Sequence, residues 1–192
     1  MQIHLFARYI MKSEIAILPG SSLWDIKWVR SCRVALIMLQ CLAGSAFADG
    51  LTVSITSRDN FGFFLPSKPG QKIAESIDSA IAFMTQPNPL APRATLFPAG
   101  FIVSAHFIEN NSKGYVQVTG RFNPSAYGLS LTDGGGQYDA RNPPGAKVGG
   151  YPYFLNLVEP DSEVYCIRAC KASRDCKPVT KSCETDIPGD YS

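Results

Sequence analysis

Four cysteines near one end of the chain carry the clearest chemical message. Cys166, Cys170, Cys176 and Cys183 follow the pattern C-x3-C-x5-C-x6-C. Such an even, clustered set supports either two disulfides or a four-thiolate zinc site. No C-x2-C knuckle is present, and the export signal described below implies an oxidising compartment, so disulfides are the expected state. Three pairings are open to four cysteines. The nested one, Cys166–Cys183 with Cys170–Cys176, is preferred, but spacing alone leaves all three open. Loops this short contribute about 3 kcal/mol or less each, so their role would be to tie a polar tail to the preceding strand.

Other reactive side chains are sparse. The chain holds two histidines, His4 and His106, which excludes a multi-histidine metal site. A Ser–His–Asp arrangement would have to use His106 as its base. Neither Ser104 nor Ser125 sits in a nucleophile elbow, and G-x-S-x-G is absent. Asp133 and Asp139 flank Gly134-Gly135-Gly136-Gln137-Tyr138. Two carboxylates so placed suggest an acid–base pair, a calcium loop or a sugar-binding loop. Glycoside hydrolysis needs a defined carboxylate separation, and the segment lacks the full calcium-loop spacing with its closing Glu. The plainer reading is a turn in which the Asp side chains bond their own backbone. Asp133, Gln137, Tyr138 and Asp139 are retained as ligand-binding candidates. No catalytic residue, metal or cofactor is assigned. A patch of Tyr138, Tyr151 and Tyr153 could stack on sugar rings, set against the usual half-buried tyrosine with a satisfied hydroxyl.

Composition narrows the classes further. The chain has 192 residues, 45% hydrophobic and 18% charged, which excludes a charge-rich disordered polypeptide. A formal charge of +2 argues against a dedicated nucleic-acid binder, which needs a basic face to neutralise phosphates. Lys27, Arg30 and Arg33 precede the apolar run Val34–Gly44, and Ser45-Ala46-Phe47-Ala48 follows. This is the order of a secretory signal, with cleavage expected after Ala48. The apolar run is short for a span of about 20 residues. Residues 1–26 make the segment unusually long, so an upstream extension, an uncleaved anchor and a buried amphipathic helix are the competing readings. Cleavage would leave 144 residues of net charge −1 with four cysteines, enough to bury a substantial core.

The elements expected to position these groups are short strands. Leu51–Ile55 alternates apolar and polar residues, the period of a half-buried strand. Asn60–Leu65 is a second short run. Ile73, Ile77, Ala80, Ile81 and Met84 recur at helical spacing, so Gln71–Met84 reads as a short helix or irregular segment. Pro87, Pro89, Pro92 and Pro98 make Gln86–Pro98 a loop. Phe101–Glu109 and Tyr115–Phe122 form the expected hairpin across Asn110–Gly114. Asn110-Asn111-Ser112 is a glycosylation sequon on that turn. Tyr151–Val158 and Val164–Arg168 form a second strand pair. The fold class is all-β: a single-domain compact sandwich or small barrel of short antiparallel strands, with a disulfide-tied C-terminal tail.

A set of motifs in fixed order carries a resemblance. Phe61-Gly-Phe-Phe-Leu-Pro66, Leu96-Phe-Pro-Ala-Gly-Phe101, Val116-Gln-Val-Thr-Gly120, Asp133-Gly-Gly-Gly-Gln-Tyr-Asp139, Tyr165-Cys-Ile-Arg168 and Ile187-Pro-Gly-Asp-Tyr191 resemble small secreted fungal proteins, including those labelled macrophage-activating glycoprotein. The resemblance covers nearly all of residues 49–192. It implies a secreted fungal protein at the cell surface or a host interface, with no known catalytic residues. Many relatives carry cysteine near Gly62, Met84, Val148 and Ala169, where this chain has none. The resemblance suggests that Gly62 with Met84, and Val148 with Ala169, replace two former bridges.

The leading expectation is therefore a non-catalytic, effector-like secreted monomer, acting in the cell wall, the extracellular space or the host apoplast. Its partner would be a host protein or a cell-wall polysaccharide, with no nucleic acid and no membrane after signal cleavage. The alternatives are a carbohydrate-binding module of the fungal wall and a secreted hydrolase using Asp133, Asp139 or His106.

Overall fold

Two strands, β9 (Tyr153–Glu159) and β10 (Val164–Cys170), are paired inside the largest sheet. The computed structural model describes residues 51–178 and 181–192; the expected signal and its cleavage point lie outside them. The fold is all-β. A five-stranded antiparallel sheet has the order β5-β6-β10-β9-β7, with β5 at His106–Asn110, β6 at Tyr115–Arg121 and β7 at Gly136–Asp139. A second sheet joins β2 (Gly62–Leu65), β3 (Ile81–Met84) and β4 (Thr95–Leu96). The third is a two-residue pairing of β1 (Thr52–Val53) with β8 (Lys147–Val148).

Strand alternation assigns the two faces of the large sheet. Val116 and Val118 of β6, Phe154 and Val158 of β9, and Tyr165, Ile167 and Ala169 of β10 enter the main core. Phe63 and Phe64 of β2 meet them: Phe63 stacks on Tyr165 at 4.7 Å between ring centroids, and Phe64 lies 5.2 Å from Phe154. This is sheet-on-sheet packing, interdigitated through aromatic rings. Residues of opposite parity, Leu155, Leu157, Val164 and Cys166, face the other way and form a second cluster with Cys183, Ile187 and Tyr191. The tail therefore covers the outer face of the large sheet.

Tail and sheet are joined at several points. The Cys166–Cys183 and Cys170–Cys176 disulfides form the nested pairing, which removes the zinc alternative. Helix α1 (Cys183–Asp186) starts at Ser182, whose hydroxyl accepts from the Thr185 N–H. Beyond it, the Gln117 amide donates to the Pro188 carbonyl at 3.0 Å, and the Thr119 hydroxyl donates to the Asp190 carbonyl at 2.6 Å.

One buried side chain links the two sheets. Asn156 of β9 is 0% exposed. Its Oδ1 accepts from the Phe64 N–H at 3.0 Å, and its Nδ2 donates to the carbonyls of Cys166 at 3.1 Å and Leu157 at 3.3 Å.

The structure corrects several local expectations. Gln71–Met84, expected as a short helix or irregular segment, holds only a 3-10 turn at Ala74–Ser76 and then becomes strand β3 at Ile81–Met84. The proline-rich segment contributes β4, and both β3–β4 and β1–β8 are parallel pairings. Regular pairing in the first hairpin begins at His106 rather than Phe101. Immediately before it, the Val103 and Ser104 N–H groups both donate to the Arg121 carbonyl, at 2.9 and 3.1 Å. Two residues facing one carbonyl make a bulge that offsets the register. Gly62 lies directly opposite Met84 in the β2–β3 ladder, whereas Val148 and Ala169 belong to different sheets. A Cβ at Gly62 would stand 2.1 Å from the Phe83 carbonyl oxygen and 2.4 Å from the Met84 sulfur, so this backbone requires glycine there.

Candidate functional site

The Asp133–Asp139 segment is a structural clasp. Asp133 is 6% exposed. Its Oδ2 accepts from the Ile73 N–H at 2.9 Å and its Oδ1 from the Gly135 N–H at 3.0 Å. Gly135 has φ +87, and a Cβ on it would meet the Val158 carbonyl oxygen at 2.1 Å. Both the left-handed backbone and the close approach therefore demand glycine. Tyr138 is 0% exposed, and its hydroxyl bonds the Ser76 hydroxyl at 2.6 Å. Burial drives its pKa far above the ordinary tyrosine value. Tyr138 cannot stack on an external sugar, and Asp133 spends both oxygens on backbone N–H groups. These are corrections to the ligand-loop reading.

At the far end of β7, Asp139 holds Arg141. Arg141 Nε and Nη2 reach the two carboxylate oxygens at 3.2 and 2.8 Å, and the Arg141 N–H adds a bond of 2.8 Å. Burial alone would raise the Asp139 pKa. The Arg141 side-chain and backbone bonds, the Arg141 charge and the Gln137 amide together outweigh it and hold the carboxyl below its ordinary value. Gln137 Nε2 donates to Asp139 at 3.3 Å. Of the four candidates, Gln137 and Asp139 share one cluster, while Asp133 and Tyr138 belong to the anchor of the 71–76 segment.

His106 joins the tail. Its Nδ1 lies 3.4 Å from an Asp190 carboxylate oxygen and its Nε2 lies 3.2 Å from the Ser192 carbonyl. The Ser104 hydroxyl accepts from the Arg121 N–H, and Ser125 lies in the 3-10 turn Pro124–Tyr127, so neither serine is hydrogen-bonded to the imidazole. Asn110 occupies the end of β5. Its Oδ1 accepts from the Ser112 hydroxyl at 2.8 Å and the Lys113 N–H at 3.0 Å, which closes the sequon into a turn.

Two adjoining clefts lie at the end of the large sheet where β9 begins. One, of about 620 Å3, lies among Leu90, Lys147, Tyr151 and Pro152. The other, of about 590 Å3, lies among Arg141, Tyr153, Arg174, Cys176 and Lys177. Ala140, Pro152 and Phe154 line both. Tyr153 is 40% exposed. The Lys171 ammonium sits 4.5 Å from the Tyr151 ring centroid and also donates to the Gly150 carbonyl, which fixes that ring at the cleft wall. The Cys170–Cys176 bridge brings the Ser173–Pro178 segment to the opposite wall. Both volumes fall in the range of small-ligand sites. Tyr151 and Tyr153 were visible in the sequence as a patch. Arg141, Arg174 and Lys177 were not, and only the Asp139–Arg141 spacing offered a signal.

The carboxylates gather at the opposite end of β9. Glu159 accepts from the Cys183 N–H at 2.8 Å. Burial raises its pKa, and the charges of Asp161, Glu184 and Asp186 add to the rise against the Cys183 bond.

No family model, curated protein or solved structure matches the chain. Among the described residues, no cluster of three or more His, Cys, Asp or Glu side chains is arranged to hold a metal ion. No described helix is long and apolar enough to cross a membrane.

Proposed function

We propose that this is a secreted fungal protein that acts without catalysis, through surface contacts at the cell surface or a host interface, in the manner of an effector. The double cleft is its contact site. The observation that carries this reading is the coincidence, at one sheet end, of two adjoining cavities, an exposed aromatic side chain and several charged donors. Secretion is supported by the order of the N-terminal segment and by the two disulfides, which are typical of extracellular proteins. A fungal source rests on the sequence resemblance alone.

Affinity capture from fungal wall fractions and host extracts tests the reading. Ala140 is exposed and lines both clefts, so Ala140→Trp fills their shared wall without entering the core. The purified, oxidised protein retains a component that Ala140→Trp loses. Retention that Ala140→Trp leaves unchanged, or no retention by the parent, refutes the assignment.

A carbohydrate-binding module is the second reading, favoured by the exposed Tyr153 ring. Aromatic faces beside hydrogen-bond donors are a suitable lining for sugar rings.

A further inference from the structure

We infer that the double cleft binds an acidic saccharide, with Tyr153 as the ring platform and Arg141, Arg174 and Lys177 as carboxylate donors. This rests on the reading of the clefts as the contact site and names the ligand class they take.

Charge segregation is the first argument. Residues 51–192 contain thirteen Lys and Arg and thirteen Asp and Glu, so this part of the chain is neutral by count. The clefts depart sharply from that balance. Lys147 lines the first, and Arg141, Arg174 and Lys177 line the second, against the single carboxylate of Asp139. Glu159, Asp161, Glu184 and Asp186 interact at the other end of β9. Seven residues of strand separate the two ends, about 20 Å at 3.3–3.4 Å per residue. Such an arrangement attracts an anion to one end and repels it from the other.

The second argument concerns the donors. Arg141 commits Nε and Nη2 to Asp139, which fixes the guanidinium plane and leaves Nη1 without a bond among the described residues. The Arg174 side chain is 80% exposed and has a loose 3.6 Å contact with Asp175. Lys177 is exposed beside it. A planar guanidinium fork matches a carboxylate, and an ammonium adds a point charge. Apart from Ser173, the remaining lining is largely apolar and includes Tyr153, Pro152, Phe154 and Ala140. A compact inorganic anion would leave that surface unused, whereas a sugar ring has a C–H face to lay on Tyr153. Two clefts sharing a wall suit a chain of linked rings carrying repeated carboxylates.

Tetragalacturonate and its neutral methyl ester are the probes, titrated by calorimetry into the purified oxidised protein. The acid binds saturably, and the ester binds at least about tenfold more weakly, the loss expected when one charge-assisted hydrogen bond is removed. Raising ionic strength from about 0.01 M to about 1 M shortens the screening length from about 30 to about 3 Å and abolishes the difference. The double variant Arg174→Gln/Lys177→Gln, confined to exposed side chains, weakens acid binding about tenfold or more. Tyr153→Ala weakens both probes, and Lys68→Gln, outside the clefts, changes neither. Absence of saturable binding, equal affinity for acid and ester, or indifference to the Arg174/Lys177 variant overturns the inference. If the acid fails to bind while Ala140→Trp still abolishes wall or host capture, the ligand class falls and the contact site stands. If both fail, both readings fall together.

Discussion

Replacing Asn156 with leucine should unfasten the two sheets from each other. Leucine keeps the branched outline of asparagine and is bulkier, so it opens no cavity, and any crowding adds to the polar cost. What it removes is polar. The Phe64 N–H, donated to Asn156 Oδ1 at 3.0 Å, loses its partner inside the core. An orphaned buried donor costs about 1–3 kcal/mol. The Cys166 and Leu157 carbonyls each lose the Asn156 amide, at about 0.5–1.5 kcal/mol for a neutral bond. The Leu157 bond is long and the ladder carbonyls have other donors, so these two add about 1 kcal/mol together. The total is about 3 kcal/mol. With a urea slope of about 2 kcal/mol/M for a protein of this size, the midpoint moves down by about 1.5 M. Equilibrium urea unfolding of the oxidised protein, followed by tyrosine fluorescence and far-ultraviolet circular dichroism, measures it. Asn156→Asp provides an internal check. It keeps the acceptor for Phe64 and loses the donor, yet brings a charge into the core, so it also destabilises. A midpoint change below about 0.5 M for Asn156→Leu would refute the view that this amide joins the sheets.

Four further outcomes follow from the geometry. Gly135→Ala costs about 2 kcal/mol or more in the same unfolding assay, because the left-handed φ and the Val158 carbonyl both oppose a Cβ. Tyr138→Phe loses about 1 kcal/mol with its Ser76 bond and leaves cleft binding unaltered, which separates its structural role from ligand contact. The stability supplied by Asp139, whose pKa is depressed on folding, is present above its ordinary carboxylate value and is lost as pH falls through the folded value; Asp139→Asn flattens that part of the stability–pH curve. Glu159 has the opposite sign. Its pKa is raised, so its contribution declines as pH rises from the ordinary carboxylate value through the folded one. Glu159→Gln, which retains an acceptor for the Cys183 N–H, therefore gains on the parent across that window.

The strands were legible where alternation met β-branched or aromatic residues. Tyr151–Val158 and Val164–Arg168 anticipate β9 and β10 to within two residues at each end, since their two faces bury against different partners and both need apolar side chains. The segment 71–84 misled because five apolar residues happen to stand at helical intervals. Ile73 is buried beside Gly136 after a turn, while Ile81–Met84 extends along β2: tertiary pairing overrode local periodicity. The Asp133–Asp139 glycines were legible as a turn, but not the reach of Asp133 and Tyr138 to Ile73 and Ser76, some sixty residues away. The clefts were illegible for the same reason. Arg141, Tyr153 and Lys177 come from three segments that meet only through the β7–β9 pairing and the Cys170–Cys176 bridge.

The tail lying over the outer sheet face sets an order of events during biosynthesis. Residues 181–192 leave the ribosome after every strand they shelter. Until they arrive, Leu155, Leu157 and Val164 are a sticky stripe facing water. Cys166 waits for Cys183 through that interval, while Cys170 can find Cys176 much sooner. Maturation thus has a vulnerable stage, in which a nascent molecule with one bridge closed keeps this stripe uncovered until its last segment folds back.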